Sequence, residues 1–332
     1  MLILALESSC DETSAAVVEM EGDSKKILSN IVASQIEIHR RYGGVVPEIA
    51  GRAHIEAVSG ITHEALDTAG ARLSDIGAVA VTNAPGLIGA LLVGMNFAKS
   101  LAYSHNIPLV PVNHIKAHGA AAYLEYPDLK PPFLALIVSG GHTCFYEVKD
   151  YTDWRYLAGT RDDAAGEAFD KVGRVIGCPY PAGAEMDKLA AAGDPSSIPL
   201  PSPALHGTLD LSFSGLKTAC LNYIHNLDQK GMPVNRENMA ASLTAAICGG
   251  IYAKASDALD LTGAETLVLA GGVAANSHLR RSLADLCEKK KVRFCVPPLS
   301  LCGDNGAMIA AQGYYEFLSG VRAGTDLNAS AN

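Results

Sequence analysis

The stretch Phe133–Val148, FLALIVSGGHTCFYEV, decides the fold. Phe133–Ser139 is an apolar run of strand character. Gly140–Gly141 turns the chain, and Thr143–Val148 returns as a second strand. Trp154–Ala158 supplies a third. The same order stands at the head of the chain: strands at Leu2–Leu6, Ser14–Met20 and Lys26–Val32, the first two joined by a polar turn, Glu7–Thr13. After the first triplet come a helix at Pro47–Ala69, a strand at Ala78–Thr82, a helix at Leu87–Tyr103, a strand at Leu109–Val112 and a helix at His114–Leu124. After the second triplet a long helical region intervenes, with helices at Ala164–Gly177, Ala182–Ala192, Gly215–Leu227 and Asn235–Leu259. Alternation then resumes with Thr266–Ala270, a helix at Ala274–Lys289, a strand at Val292–Val296 and a helix at Asn305–Ser319. The chain is thus a β-β-β-α-β-α-β-α unit written twice, and an internal repeat of that size constrains the fold more than any one motif.

The expected class is α/β, in the duplicated layout of the actin, sugar-kinase and Hsp70-like ATPase superfamily, where a nucleotide sits in a cleft between two lobes. The expected boundaries are residues 1–130 for the first lobe and 131–322 for the second, with a helical insertion at about 160–262 and a flexible tail at 323–332. A length of 332 residues suits two lobes, and 48% hydrophobic with 18% charged residues excludes a disordered or collagen-like chain. MLILALESSC has too short an apolar stretch and no basic flank for a signal peptide, and no run is long enough to span a bilayer. Eight cysteines without a C-x-x-C pair fit free thiols in a reducing, cytoplasmic setting. The net charge of −9 argues against a protein that coats nucleic acid by charge.

Two turns, Ser8–Thr13 and Ser139–Thr143, take equivalent places in the repeat. Small and hydroxylic residues there let backbone N–H groups approach a phosphate. Either alone would be an ordinary hairpin turn; it is the pairing that points to an anion. Leu269–Asn276 runs from a strand through Gly-Gly into a helix and offers Asn276 to a base or ribose. No Walker or dinucleotide-binding glycine motif is present. His114 and His118 lie one helical turn apart and can share a metal, although such a pair also occurs as plain buried helix histidines. Ile115 stands where a zinc protease would carry its glutamate. Asp304, in a glycine-flanked turn, is either a helix cap or the carboxylate that completes an open two-histidine site suited to iron or zinc.

Eight collinear segments go further: ESSCDET at 7–13, GGVVPEIAGRA at 43–53, PGLIGALLVG at 85–94, HIKAH at 114–118, VSGGHT at 138–143, SFSGLK at 212–217, GGVAAN at 271–276 and GDNGA at 303–307. Together they resemble the bacterial tRNA N6-adenosine threonylcarbamoyltransferase family, once labelled O-sialoglycoprotein endopeptidase. The resemblance implies transfer of a threonylcarbamoyl group from threonylcarbamoyl-AMP to the N6 amine of the adenosine 3′-adjacent to the anticodon, in tRNAs reading codons that begin with A. It implies a divalent metal, iron(II) favoured over zinc, on His114, His118 and Asp304. It implies substrate contacts at Ile137, Val138, Ser139, Gly140, Gly141, Asp170, Gly183, Asp187 and Asn276. Archaeal and eukaryotic relatives carry a metal-binding tyrosine where Ile137 stands here. Asp11 and Glu12 are candidates to orient the amine or accept its proton. The implied partners are tRNA, a smaller paralogous subunit of the same fold and a separate ATPase, with no membrane. The rival readings are a small-molecule kinase of this fold and a nucleotide-gated scaffold.

Overall fold

A computed structural model of the chain describes residues 1–22 and 24–331. The chain divides into two compact units: residues 1–131, 150–154 and 297–332 make the first, residues 132–149 and 155–296 the second.

In the first unit, β1 (Leu2–Glu7), β2 (Glu12–Glu21) and β3 (Ser24–Ser34) form an antiparallel meander. There follow a short α1 (Ile36–Arg40), α2 (Pro47–Ala69), β4 (Ile76–Ala84), α3 (Ile88–His105), β5 (Leu109–Asn113) and α4 (His114–Glu125). The sheet order is β3-β2-β1-β4-β5, with β4 parallel to β1 and β5 parallel to β4. β1 is central and buried from Ile3 to Glu7, which is why its sequence is an unbroken apolar run rather than an alternating one. α2 opens with Pro47, whose missing N–H costs nothing in a first turn, and stops at Gly70 in the left-handed region. Leu4, Leu6, Val17, Ile61, Val79, Val81 and Met95 pack into the core between sheet and helices. Each such side chain contributes about 1.5–3 kcal/mol by burial.

In the second unit, β6 (Phe133–Val138), β7 (Thr143–Val148) and β8 (Trp154–Gly159) precede the helices α5 (Ala165–Val175), α6 (Gly183–Ala192), α7 (Ser214–Gln229) and α8 (Arg236–Thr262). β9 (Thr266–Ala270), α9 (Ser277–Lys290) and β10 (Arg293–Cys295) complete it. Its sheet order is β10-β9-β6-β7-β8. Strand for strand this is the order of the first sheet, so the repeat read in the sequence is a repeat in topology.

Four expectations are corrected. The last helix, α10 (Gly306–Leu318), belongs to the first unit and not to a lobe spanning 131–322; it packs against α4, β1 and β2. Gly306 through Tyr315 are all buried, so this helix needs covering on every side. The expected flexible tail is docked: Ala323 N–H donates to Leu109 O at 2.9 Å and Ser330 N–H to Asn83 O at 2.9 Å. Leu327 and Ala329 pack on the core; Asn332 lies outside the described residues. The helix expected from Ala274 begins at Ser277, because Asn276 caps it by accepting from Leu279 N–H at 2.9 Å, and Gly272–Ala275 forms a separate 3-10 turn. The first polar turn shortens to Ser8–Asp11, since Glu12 and Thr13 already belong to β2 and pair with Ser34 and Ala33 of β3.

Candidate functional site

α4 starts directly after β5 because Asn113 caps it, its Oδ1 accepting from Ile115 N–H at 2.9 Å and Lys116 N–H at 3.1 Å. His114 is therefore the first helical residue and His118 sits one turn on. Both imidazoles are buried, with ring centroids 4.6 Å apart. Asp304 arrives from nearly two hundred positions further along the chain. Its Oδ1 lies 3.3 Å from His118 Nε2 and 3.6 Å from His114 Nε2. The three candidate ligand atoms all fall within 4.8 Å of one another.

The start of α10 holds Asp304 in place. Three side chains take its first free N–H groups: Ser14 Oγ accepts from Gly306 at 2.8 Å, Asn30 Oδ1 from Ala307 at 3.2 Å, and Asn305 Oδ1 from Met308 at 3.0 Å. A Cβ at Gly306 would stand 2.7 Å from Ala16 N, so only glycine lets the helix start press against β2.

Glu7, which the sequence reading did not single out, organises the centre. It is buried at the end of β1, where its carboxylate accepts from Ser9 N–H at 2.5 Å, Thr82 Oγ1 at 2.6 Å and His114 Nδ1 at 3.0 Å. Its signal in the sequence was a carboxylate ending an otherwise apolar strand, a group that cannot be buried without partners. Burial pushes its pKa up, but the charge and hydrogen bond of His114 outweigh that and hold it below the usual value. Burial likewise disfavours the His114 cation, yet Glu7 and Asp304 raise its pKa to about 9. The bond from Nδ1 to Glu7 leaves His114 Nε2 facing Asp304, the carboxylate–histidine arrangement that sets a ligand's tautomer. Both ring nitrogens of His118 are buried without a hydrogen-bond partner among the described residues. A buried imidazole left so is costly, and a metal on its Nε2 would satisfy the nitrogen that faces Asp304. The residues fit a metal, with one carboxylate oxygen and two imidazole nitrogens as donors.

Asp11 and Glu12 follow in the turn and at the head of β2. Ser34 Oγ donates to Glu12 Oε1 at 3.2 Å. Burial, with the charges of Asp304 and Asp11, raises Glu12 to about 9. The turn is pinned from α2 by buried His54, whose Nε2 lies 3.0 Å from Cys10 O and whose Nδ1 lies 2.7 Å from Thr13 Oγ1. Burial and the Asp11 charge push the Cys10 thiol far up, so it offers no thiolate.

The remaining expected residues belong to the second unit. Ile137 and Val138 are buried in β6, so their side chains face the sheet core and only their backbone leads toward the turn. Ser139 N–H donates to His142 O at 2.7 Å and closes that turn, leaving Gly140 and Gly141 exposed at its tip. Gly271, at φ 95°, lies where a Cβ would meet Val138 O at 2.4 Å, so its backbone packs directly on the end of β6. Asp170 accepts from Ala182 N–H at 2.7 Å, just ahead of Gly183 and α6. Asp187 accepts from Ser277 N–H and Ser277 Oγ, both at 3.1 Å, at the start of α9. Asp170, in the middle of α5, thus holds the start of α6, and Asp187, in the middle of α6, holds the start of α9, which Asn276 caps.

The architecture is a duplicated actin-like α/β fold, here carrying a candidate His-His-Asp metal centre. A solved HypF structure from T. kodakarensis superposes with a TM-score of 0.64 at 14% identity, over 98% of this chain and 49% of that longer one. An ROK hexokinase from Thermus thermophilus gives 0.50 at 17% identity, over 96% of this chain and 100% of that one. A family model described as tRNA N6-adenosine threonylcarbamoyltransferase matches residues 26–311. A protein of that name from Clostridium botulinum is 49% identical over 331 residues, 99% of this chain and 96% of the other. The chain belongs to the tRNA N6-adenosine threonylcarbamoyltransferase family. No helix among the described residues is long and apolar enough to cross a membrane.

Proposed function

We propose that the chain transfers the threonylcarbamoyl group from threonylcarbamoyl-AMP to the N6 amine of the adenosine 3′-adjacent to the anticodon, in tRNAs reading codons that begin with A. A C–N bond forms, the bond from the acyl carbon to the phosphate oxygen breaks, AMP leaves, and the amine loses a proton. The observation that carries this reading is the preorganised set of His114, His118 and Asp304 in a chain of this family. Two imidazoles and one carboxylate, with no thiolate at hand, suit iron(II) in an open site, and zinc is the second candidate. When bound, the metal supplies Lewis acidity toward an oxygen of the donor.

The protein's own groups do the rest. The N–H groups of Gly140 and Gly141 and the hydroxyl of Ser139 hold the phosphate, the backbone at Ile137 and Val138 fixing where that turn begins. Asp170, Asp187 and Asn276 hold the ribose and base, with Gly183 leaving room beside them. A carboxylate has about four lone-pair sites, so Asp170 and Asp187 can keep their helix-end bonds and still accept from ribose hydroxyls. Asp11 orients the amine. Glu12, with its raised affinity for a proton, receives the one the amine releases.

The net charge of −9 supports tRNA delivery with help from other subunits, a smaller paralogue and an ATPase. Eight free cysteines support a cytoplasmic, reducing setting. Asp304→Ala should lose metal and tRNA-dependent AMP release while keeping the far-ultraviolet circular dichroism of the parent. Full activity in that variant, or ADP formation from ATP without tRNA in the parent, would contradict the reading.

A further inference from the structure

SFSGLK at 212–217 has no part in the metal centre or in the adenylate contacts. In the fold it begins α7, and its partners lie in the loop between β8 and α5. Asp162 supplies most of them. Its Oδ1 accepts from Phe213 N–H at 2.7 Å and Ser214 N–H at 3.1 Å. Its Oδ2 accepts from Ser212 Oγ at 2.5 Å and Ser214 Oγ at 2.9 Å. Phe213, at the cap position of α7, has no side chain able to take those N–H groups, so Asp162 caps the helix from fifty residues back in the chain. Asp163 beside it accepts from Lys171 of α5 at 3.4 Å and from Lys217 of α7. The backbone adds two ties: Leu211 N–H donates to Gly159 O at 3.0 Å, and Arg161 N–H to Leu211 O at 2.9 Å.

The same loop bonds on its other side to the turn at Ser139–Thr143. Thr160 N–H donates to Thr143 O at 2.8 Å. The first two N–H groups of α5 go there as well, Ala165 to Thr143 Oγ1 at 3.0 Å and Gly166 to Ser139 O at 3.2 Å. Ala164 has no side chain to cap α5, so the turn's own residues do it. A Cβ at Gly166 would stand 2.6 Å from Ser139 O and 2.8 Å from Gly140 Cα, both backbone atoms that cannot swing aside. Gly140 and Gly141 are exposed at the tip and have no side chains to hold them. N–H groups that bind a ligand must be held to within about 0.5 Å. Here the hold comes from behind the turn.

We propose that Asp162 and Gly166 are positioning residues for this turn, and so for the phosphate of the adenylate. Asp162 fixes the loop to α7, and Gly166 carries that fixed position to Ser139 and Gly140. Asp162 is exposed, so its charge counts for little and its worth lies in four directed hydrogen bonds. The inference rests on the reading that the turn holds phosphate.

The test titrates the metal-loaded, full-length protein with AMP and with adenosine by calorimetry. Asp170, Asp187 and Asn276 serve both ligands alike, so the difference in affinity reports the phosphate. The parent should bind AMP more tightly than adenosine. Asp162→Ala should weaken AMP about tenfold and leave adenosine unchanged, a split that general loss of structure would not give. Asp162→Asn keeps an acceptor for the Phe213 and Ser214 N–H groups and should restore most of the difference. Gly166→Ala pushes on the turn without touching α7 and should narrow the gap in the same way; either residue carries the test should a variant of the other fail to fold. A parent that prefers AMP, with variants that prefer it as strongly or lose both ligands equally, would overturn the positioning role and leave the phosphate reading intact. A parent that binds both ligands equally would remove the phosphate from the turn and the positioning role with it.

Discussion

Glu7 and Glu12 lie five residues apart and hold their carboxyl groups in opposite ways, Glu7 fully buried and Glu12 half-buried. Glu7 is surrounded by three donors and stays ionised, which fixes the tautomer of His114. Glu7→Gln keeps the size but loses the charge. It should weaken zinc or iron(II) affinity about 10–100-fold in chelator competition, with the fold retained. An unchanged affinity would remove Glu7 from the centre's support. Glu12 accepts from Ser34 Oγ, but burial and its acidic neighbours outweigh that bond and push it up to about 9. In the metal-free protein the folded state therefore holds a proton on Glu12 that the unfolded chain releases near pH 4.5, so stability falls as pH rises from there toward 9. His114, raised from 6.5 to about 9, adds stability that is complete below pH 6.5 and is lost as pH rises through 9. The melting temperature of the metal-free protein should decline between these values, and Glu12→Gln should flatten part of the decline. A Glu12→Gln profile identical to the parent's would contradict the shift.

At the scale of elements, the centre depends on where helices begin. α4 begins at His114 because of Asn113, and α10 begins just after Asp304 because Ser14, Asn30 and Asn305 take its N–H groups. Ser14→Ala should cost on the order of 1 kcal/mol, as lost caps do, and lower metal affinity as well because Asp304 loosens. A stability loss with no change in metal binding would show that the helix start does not position the ligand. These caps also mark the limit of what the sequence alone could tell. The strand triplets were legible because central strands such as β1 and β6 are continuous apolar runs, and the histidine pair because its spacing is local. Asn276 looked like part of a helix, since periodicity does not report a side chain that competes for backbone N–H groups. Glu7, Ser14 and Asn30 were not legible as site residues. Each acts on a group far away in sequence, His114 or the start of α10, and no local pattern encodes that pairing.

For the molecule as a whole, duplication explains the length, since both units carry the same strand order. The last helix returning to the first unit explains how Asp304 comes to stand beside His114 and His118. A chain of charge −9, with 35 acidic against 26 basic residues, is poorly made to hold tRNA alone, which is why the proposed activity includes partners. The most direct measurement supplies the purified, metal-loaded chain with threonylcarbamoyl-AMP and unmodified tRNA, with cell extract as the source of partner subunits. The tRNA is then digested and its nucleosides are weighed by mass spectrometry. The account predicts threonylcarbamoyl adenosine in tRNAs that read codons beginning with A, and none when Asp304→Ala replaces the parent. Unmodified adenosine throughout, with extract present and the donor intact, would contradict it.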